Sequence, residues 1–307
     1  MNKVCVLLST YNGEKYLSEQ LDSVLSQTGV DVYLIIRDDG SSDKTVSIIK
    51  EYQNKYSHIT LLEENNCGVE RSFEKLYLFS SVHSDCDYFA FCDQDDVWFP
   101  EKLENSISAL QNEQGPALYC CNQMITDSNL RPLRLMIDMD KFEEWKKIFE
   151  MNYLINRHGC TMVWNRPLNR VLSQIKHDPI YIPGHDAWLS LVAQCCGKVI
   201  LGEEPLQYYR VHASNSSGLA SNSYKRLQKG IRLWWLRDSH RNLFARDCIS
   251  FFKLEKFEKP AEQHLNKLAC YRDSWYNTFR LAICRQIWNQ GLFDGLFWAI
   301  SILLRKY

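Results

Sequence analysis

Three carboxylates fall within four positions at the end of an apolar segment. Residues 88–92 read as a buried strand, and Asp93, Asp95 and Asp96 follow it directly. Like charges this close repel one another, so their proximity costs free energy unless a cation neutralises them. Because residues two apart in an extended chain point the same way, Asp93 and Asp95 can share an oxygen-preferring ion such as Mg²⁺ or Mn²⁺. The alternative is a solvated turn that caps a helix beginning near Pro100.

A second group of carboxylates follows another apolar run. Residues 32–37 read as a strand, and Asp38 and Asp39 come directly after it. In open α/β sheets, ligands bind outside the carboxyl ends of the strands, so we expect both acidic turns to face one crevice. The Ser-Ser-Asp sequence at 41–43 is typical of a helix cap. Asp38 and Asp39 therefore remain as candidates for ligand binding.

The elements that must position these turns alternate along the first part of the chain. Apolar runs typical of strands lie at 4–8, 33–36, 59–62, 88–92 and 117–121. Apolar residues at helical spacing lie between them. This alternation predicts an α/β fold with a mostly parallel sheet flanked by helices. The stretch from Ser9 to Gly13 lacks a Gly-x-Gly-x-x-Gly pattern, which argues against a dinucleotide fold.

Composition limits the class of protein. The chain has 307 residues and is 45% apolar, which is enough for one large domain and an appendage. The net charge of -1 gives no indication of nucleic-acid binding. The 12 cysteines include no Cys-x-x-Cys pair, which indicates reduced thiols in the cytosol and no zinc site. We expect no signal peptide, and no apolar run reaches the ~20 residues needed to span a bilayer.

Several motifs, in order along the chain, resemble those of a known family. They occupy residues 8–13, 37–43, 65–68, 91–98, 159–162, 184–186 and 209–212. Together they resemble the family-two inverting glycosyltransferases with the GT-A, Rossmann-like fold. The form of 91–98 is similar to that of bacterial rhamnosyltransferase-like members that build O-antigens, capsules and related surface polysaccharides.

The resemblance implies a domain organisation. A GT-A domain would occupy 1–220, with a nucleotide-sugar half at 1–120 and an acceptor half at 121–220. A helical C-terminal region would follow at 221–307, after a boundary near 218–223.

The resemblance also implies roles on the donor side. Asp39 would hydrogen-bond the pyrimidine, and Asp93 would contact the ribose or the sugar. Asp93 and Asp95 would hold the Mn²⁺ or Mg²⁺ ion that bridges the two phosphates. Asp38 and Asp96 are open between ligand contact and the orientation of a neighbouring residue. Three residues after the first strand would line the nucleotide pocket: Thr10, Tyr11 and Asn12.

On the acceptor side, Asp186 matches the family's acidic position before a helix. Its carboxylate would remove the proton of the acceptor hydroxyl, and a single displacement would invert the anomeric carbon. The alternative for Asp186 is a helix N-cap. His185 would position the acceptor, and Trp188 would either stack on an acceptor sugar or belong to the core.

A third part of the predicted site lies near position 210. Period-two alternation places Tyr208, Arg210 and His212 on one side of an extended chain. Arg210 can pair with diphosphate oxygens, and a neutral His212 can be a further metal ligand. The alternative is a surface arginine and a core histidine. Residues 216–218 resemble the hinge of a lid. The Gln-x-x-Arg-Trp motif of processive members is missing, which favours the addition of a single sugar.

The C-terminal third combines basic and aromatic side chains. This combination predicts peripheral contact with an anionic membrane, to which the apolar segment 292–304 would contribute. The alternative is packing on the GT-A domain or against a second subunit in a homodimer. No nucleic-acid motif accompanies the pattern. The residues concerned are Lys225, Arg226, Lys229, Arg232, Trp234, Trp235, Arg237, Arg241 and Arg246.

Taken together, the motifs predict a cytoplasmic enzyme at the inner face of the cytoplasmic membrane. It would be a metal-dependent inverting glycosyltransferase that moves one sugar from a nucleotide diphosphate to a polyprenyl-diphosphate-linked glycan. The donor predicted first is dTDP-rhamnose, with UDP-galactose or UDP-glucose as alternatives. A nucleotidyltransferase would need a basic, glycine-rich loop that residues 9–13 lack. A non-catalytic nucleotide-binding scaffold is the remaining alternative.

Overall fold

A computed structural model describes residues 1–143, 158–174, 184–212, 246, 266–283, 296, 299–300 and 302–304. The strands are β1 (Asn2–Thr10), β2 (Val30–Asp38), β3 (Ile59–Glu63), β4 (Tyr88–Cys92), β5 (Val97–Trp98), β6 (Ala117–Thr126), β7 (Pro132–Leu135), β8 (Met162–Asn165) and β9 (Lys198–Arg210). The helices are α1 (Leu17–Leu25), α2 (Thr45–Lys55), α3 (Val69–His83), α4 (Lys102–Leu110), α5 (Arg166–Gln174), α6 (His185–Cys196) and α7 (Trp275–Ala282).

The strands form one sheet in the order β3-β2-β1-β4-β8-β6-β9-β5, and β7 pairs with β6. Strands β1, β2, β3 and β4 are parallel, as are β6 and β9, whereas β8 runs antiparallel to both of its neighbours. The predicted α/β fold with a mostly parallel sheet is therefore confirmed. The five predicted strands all exist, and β1, β2, β3 and β6 extend beyond their predicted limits.

Both faces of the sheet are covered by helices, which explains the continuous apolar runs in the central strands. Side chains of β1 alternate between two cores: Cys5 and Leu7 pack on one face, and Val4, Val6 and Leu8 pack on the other. Helices α1, α2 and α4 cover the second of these faces, whereas α3, α5, α6 and α7 cover the first.

Strand register brings the two acidic turns to one edge of the sheet. Thr10 at the end of β1 pairs with Asp38 at the end of β2, and Leu8 pairs with Cys92 at the end of β4. Because β1 lies between β2 and β4, the turns after β2 and β4 flank the loop that follows β1. The sheet thus places both sets of carboxylates beside residues 11–13.

The C-terminal region is described only in part. Helix α7 begins at an N-cap, Ser274, whose side chain accepts a hydrogen bond from the backbone of Asn277, and it buries Leu281 and Ala282 in the core that also contains Leu7. No helix in the described segments is long and apolar enough to cross a bilayer. The predicted boundary at 218–223 and the basic stretch 225–241 lie outside the described residues.

Candidate active site

The first acidic turn is held by hydrogen-bond donors of the protein itself. Asp38 is buried, and its Oδ1 accepts hydrogen bonds from the hydroxyls of Thr10 and Ser41 at 2.9 and 2.6 Å. Its Oδ2 accepts the backbone N–H groups of Gly40 and Ser41 at 3.1 and 2.8 Å. Four donors fill the acceptor positions of one carboxylate. Asp38 therefore organises the turn that carries Asp39, which is the orienting role left open above. Thr10, predicted to line the nucleotide pocket, instead donates to Asp38 and is not among the residues that line the cavity.

Asp39 is the carboxylate of this turn that reaches the cavity. Arg37 donates to its Oδ1 at 2.6 Å, and both side chains are almost completely buried. The backbone N–H groups of Cys67 and Gly68 donate to Asp39 at 2.7 and 2.9 Å. Burial raises the pKa of Asp39, but the hydrogen bonds from Arg37 and the two backbone groups outweigh it and lower the pKa below its usual value. Asp39 is thus an ionised acceptor with capacity left for a donor group of a ligand.

The loop after β1 joins the two acidic turns. Tyr11 is half exposed and lines the cavity. The Tyr11 backbone N–H donates to Gln94 Oε1 at 2.9 Å, and Gln94 Nε2 donates to the Tyr11 carbonyl at 3.1 Å. The Asn12 side chain accepts the backbone N–H of Ser42 at 2.9 Å. Tyr11 therefore faces the cavity, whereas Asn12 ties its loop to the first turn.

The second acidic turn contains more negative charge than its protein contacts offset. Asp93 and Asp95 line the cavity, and Asp96 is buried behind them. Burial and the charge of Asp95 raise the pKa of Asp93 to about 7. Burial, together with the charges of Asp95 and Asp93, also raises the pKa of Asp96 well above its usual value. This turn therefore favours bound protons or a bound cation.

The donor set of the second turn fits a divalent cation. Asp93 and Asp95 present carboxylate oxygens, which are the ligands that Mg²⁺ and Mn²⁺ prefer. His212 Nε2 lies 2.8 Å from Asp95 Oδ2, so an imidazole nitrogen adjoins the same carboxylate. Ligand atoms of Asp93, Asp96 and Cys160 lie within 4.8 Å of one another. Of the three predicted ligands, Asp93 and Asp95 line one cavity and His212 adjoins Asp95, whereas the tightest group of potential ligand atoms joins Asp93 to Asp96 and Cys160.

Arg210 supports the second turn from behind. Its side chain is buried, with Nε donating to the Asp95 carbonyl and Nη1 to the Ser128 carbonyl, both at 2.9 Å. Nη2 pairs with Glu19, and the guanidinium lies 4.3 Å from the ring centroid of Tyr16. These contacts direct Arg210 towards the backbone of the turn, which differs from the predicted contact with diphosphate oxygens.

A buried lysine lies beneath the second turn. Lys102, in the first turn of α4, donates through Nζ to the Cys160 carbonyl and to Gln207 Oε1, and lies 3.6 Å from the ring centroid of Trp98. Gln207 Nε2 in turn donates to Asp96 Oδ2 at 3.1 Å. Burial lowers the pKa of Lys102. Sequence reasoning missed this amide-bridged contact, because a lysine in a first helical turn normally lies on the surface.

Asp186 lies in the first turn of α6, close to the second acidic turn. Its charge contributes to the raised pKa of Asp93, after burial and the charge of Asp95. The N-cap of α6 is Gly184, with φ of 100°. The N-cap position considered for Asp186 is therefore occupied by Gly184.

The two other residues predicted for the acceptor side are buried. His185 stacks on Phe73 with ring centroids 3.9 Å apart and meets Phe91 edge-on at 4.9 Å. This packing fixes the start of α6 against the sheet. Trp188 is completely buried in the core. Of the two alternatives for Trp188, the structure supports the core role, because none of the indole is exposed.

A cavity of about 350 Å³ joins the two turns. Its wall includes Tyr209, although alternation along β9 predicted that Tyr208, Arg210 and His212 share the functional side. Neither Tyr209 nor Gln94 was predicted, since nothing in their residue type distinguishes them from core or turn positions. The lining residues are Ser9, Tyr11, Asp39, Asn66, Gly68, Val69, Phe73, Asp93, Gln94, Asp95 and Tyr209.

Solved structures share this fold. The Staphylococcus aureus protein TarS (residues 1–349), in complex with UDP-GlcNAc, matches with a TM-score of 0.57 and 16% identity, covering 98% of this chain and 81% of that one. The mannosyltransferase PcManGT from Pyrobaculum calidifontis, in complex with GDP-Man and Mn²⁺, matches with a TM-score of 0.57 and 15% identity, covering 99% and 80%. The fold is therefore that of the GT-A glycosyltransferases, as predicted.

Relatives in sequence carry the same description. A Methanocaldococcus jannaschii protein described as an uncharacterised glycosyltransferase is 31% identical over 214 residues, or 68% of this chain and 70% of its own. The dTDP-rhamnosyl transferase RfbG of Shigella flexneri is 39% identical over 106 residues, or 34% and 36% of the two chains. The profile described as "Glycosyl transferase family 2" matches residues 5–172. The chain belongs to glycosyl transferase family 2.

Proposed function

We propose that this family member is a metal-dependent inverting glycosyltransferase that moves a single sugar from a nucleotide diphosphate to an acceptor hydroxyl. One observation carries the proposal: Asp39 and the pair Asp93 and Asp95 line the same cavity. A volume of about 350 Å³ is within the usual range for small-molecule sites. At one end of the cavity, the ionised hydrogen-bond acceptor Asp39 matches the base of such a donor. At the other end, the second acidic turn lacks positive charge, and a cation bound there would match the diphosphate.

On the donor side, each residue has a distinct task. Asp39, fixed by Arg37, accepts a hydrogen bond from the N–H of a pyrimidine, and Tyr11 forms the adjoining wall. Asp93 contacts the ribose or the sugar. A divalent cation held by Asp93, Asp95 and His212 would neutralise the diphosphate as it leaves. Asp38 acts through the turn that it organises.

On the acceptor side, Asp186 is the proposed general base. Its carboxylate takes the proton of the acceptor hydroxyl as that oxygen attacks the anomeric carbon from the face opposite the diphosphate. A single displacement inverts the configuration. The supporting observation is electrostatic, since Asp186 is close enough to raise the pKa of Asp93, to a smaller extent than burial and Asp95.

For the donor we propose dTDP-rhamnose. The argument is the 39% identity to the dTDP-rhamnosyl transferase RfbG. UDP-galactose and UDP-glucose are the alternatives, because small changes in loops alter the sugar that related sheets accept.

The test is calorimetric titration of the purified protein with dTDP-rhamnose, UDP-galactose and UDP-glucose, each with Mn²⁺ and with a chelator. We expect one donor to bind, and only with the metal. Asp95→Asn is the matched variant, and it should abolish metal-dependent binding. If no donor binds to the wild-type protein in either condition, the proposed transferase is wrong and a non-catalytic scaffold gains support.

We propose that the acceptor is a polyprenyl-diphosphate-linked glycan of a bacterial surface polysaccharide, used at the inner face of the cytoplasmic membrane. Helix α7 supports membrane contact because Trp275, Tyr276 and Phe279 are 66%, 70% and 55% exposed, and Arg280 accompanies them. Aromatic and basic side chains on one helix suit an anionic lipid surface.

Vesicle sedimentation tests this contact. Binding should be stronger to vesicles with phosphatidylglycerol than to neutral ones, and the double substitution of Trp275 and Phe279 to Ser should weaken it. Val82→Ser is the matched control, since Val82 is 76% exposed on α3. Equal binding by both variants would exclude α7 as the membrane contact.

A further inference from the structure

Gln94 lies between two residues of the second acidic turn and pairs with the loop after β1. Its Oε1 accepts the Tyr11 backbone N–H at 2.9 Å, and its Nε2 donates to the Tyr11 carbonyl at 3.1 Å. One side-chain amide thus makes both hydrogen bonds of a single backbone residue. Gln94, Tyr11, Asp93 and Asp95 all line the same cavity.

The pairing depends on the chemistry of glutamine. Its amide offers a donor and an acceptor on one carbon, whereas a carboxylate offers acceptors alone. Glutamate at position 94 would therefore keep the bond from the Tyr11 N–H and oppose the Tyr11 carbonyl. Alanine would remove both bonds.

Gly13 leaves room for this amide. A Cβ at position 13 would lie 2.3 Å from Gln94 Oε1 and 2.6 Å from its Cδ. Gly13 has no left-handed φ that would itself require glycine. The Gly13 backbone N–H donates to Thr45 Oγ1 at 2.8 Å, which holds the loop in place. A side chain at position 13 would therefore displace the Gln94 amide.

We propose that Gln94 is a positioning residue that holds the Tyr11 wall of the cavity at a fixed separation from Asp93 and Asp95. The nucleotide end and the diphosphate end of the cavity are then preset for one ligand before it binds. This inference rests on the proposed function, because it assigns the two ends to the two parts of a nucleotide diphosphate. Gln94 acts through Tyr11 and has no contact with the reacting atoms.

Hydrogen exchange tests the structural half of the inference without any ligand. Gln94 is the partner that the Tyr11 amide has in the structure, so Gln94→Ala should speed exchange at that amide at least tenfold. Gly13→Ala should do the same while leaving position 94 unchanged. Unchanged exchange in both variants would overturn the inference.

Nucleotide affinity tests the functional half. With Mn²⁺ present, UDP or dTDP should bind roughly tenfold more weakly to Gln94→Ala and to Gly13→Ala, since two hydrogen bonds that preset the cavity are lost. Without nucleotide, Mn²⁺ should bind to both variants as tightly as to the wild-type protein, as measured by its electron paramagnetic resonance signal. A parallel loss of Mn²⁺ affinity would mean that Gln94 supports the metal ligands directly, which would also overturn the inference.

Gln53→Ala is the matched control. Gln53 likewise bonds a backbone carbonyl, that of Ile59 at 3.2 Å, but on the α2 side of the sheet and outside the cavity. It should change neither affinity nor Tyr11 exchange.

A double-substitution cycle with Tyr11→Ala separates positioning from direct contact. If Gln94 acts through Tyr11, Gln94→Ala should cost less than threefold in nucleotide affinity once the Tyr11 ring is removed. A full tenfold loss in that background would assign Gln94 a direct ligand contact instead. If neither UDP nor dTDP binds to the wild-type protein, the proposed function fails, and the positioning role of Gln94 fails with it. If the wild-type protein binds nucleotide and both Gln94→Ala and Gly13→Ala bind it equally well, the positioning role of Gln94 alone is overturned.

Discussion

Two acidic turns follow neighbouring strands of one sheet, and the protein treats their charges in opposite ways. After β2, Asp38 receives four hydrogen bonds and Asp39 receives Arg37 and two backbone N–H groups, so the pKa of Asp39 is lowered. After β4, burial and mutual repulsion raise the pKa of Asp93 and Asp96. The first turn is electrostatically complete, whereas the second is deficient in positive charge.

The difference teaches how to distinguish a structural carboxylate from one that needs a cation. The two turns look similar in sequence, since each has a pair of adjacent aspartates at or just after the end of a strand, and the second has Asp93 in addition. What differs is the supply of fixed donors: a buried arginine points at Asp39, while the nearby Arg210 points at backbone carbonyls. Substitution in the first turn is therefore expected to lower stability in addition to any loss of the proposed contact between Asp39 and the base, whereas substitution in the second turn is expected to act mainly through metal-dependent binding.

The largest expected effect is on turnover and comes from Asp186, whose charge adds to that of the second turn. Asp186→Asn should lower turnover about 10³-fold, because a general base typically contributes 10²- to 10⁴-fold. Donor affinity with Mn²⁺ should stay within about twofold of wild type, since the contact proposed for Asp186 is with the acceptor. Turnover and calorimetric affinity check the two halves. Near-normal turnover would remove Asp186 from the base role.

Asp95→Asn should break the second turn as a binding site. Removing a ligand carboxylate should weaken metal-dependent donor binding about 100-fold, while stability in a chelator should be unchanged or higher because a like charge is lost. Calorimetry and urea unfolding of the same preparations check this. The matched control is Asp85→Asn, an exposed carboxylate before the start of β4, at the end of that strand opposite the second turn. A stability loss without an affinity loss would mean that protein donors stabilise the Asp95 charge and that Asp95 does not take part in a cation site.

Much of this architecture could be predicted from the sequence. Strands β1, β2, β4 and β6 were identified because both of their faces are largely buried, which requires apolar residues along much of their length. The edge strand β3 was identified from a short apolar run of which Ile59 alone is buried. The antiparallel β8 could not be identified in this way, because its four residues, Met162–Asn165, are too short for a periodic pattern.

The site was predicted as a set of residues and less well as contacts. Asp39, Asp93, Asp95 and Tyr11 do line one cavity. The direction of long side chains was the weak point: Arg210 binds backbone carbonyls and Glu19, and the choice between stacking and the core for Trp188 needed the structure. Such directions depend on tertiary packing, which residue spacing does not encode.

Asp39→Asn should affect the first turn through stability. At pH 7 the substitution should cost about 2 kcal/mol, because it leaves the buried Arg37 without its closest counter-charge. Asp39 has a lowered pKa, so its contribution is present above the unfolded value of about 3.8 and is lost as pH falls through the folded value. The difference in free energy of unfolding between wild type and Asp39→Asn, measured with urea, should therefore decrease below pH 4. A constant difference would mean that the Asp39 charge contributes nothing.

The smallest expected effect is a gain in stability on substitution of Asp93, opposite in sign to the loss expected for Asp39→Asn, and it compares the two turns most directly. Asp93 has a pKa raised to about 7 from an ordinary 3.8, so the stability it contributes is full below pH 3.8 and is lost as pH rises towards 7. Asp93→Asn removes this titration. In a chelator, the free energy of unfolding of the variant should therefore rise relative to that of wild type by up to about 2 kcal/mol between pH 4 and pH 7. Mn²⁺ should reverse the gain, because it stabilises only the chain that retains the carboxylate. Urea unfolding at several pH values, with and without Mn²⁺, measures both changes. If Asp93→Asn instead lost stability as pH rose, as expected for Asp39→Asn, the second turn would hold its charges with protein donors alone, and the argument for a cation there would fail.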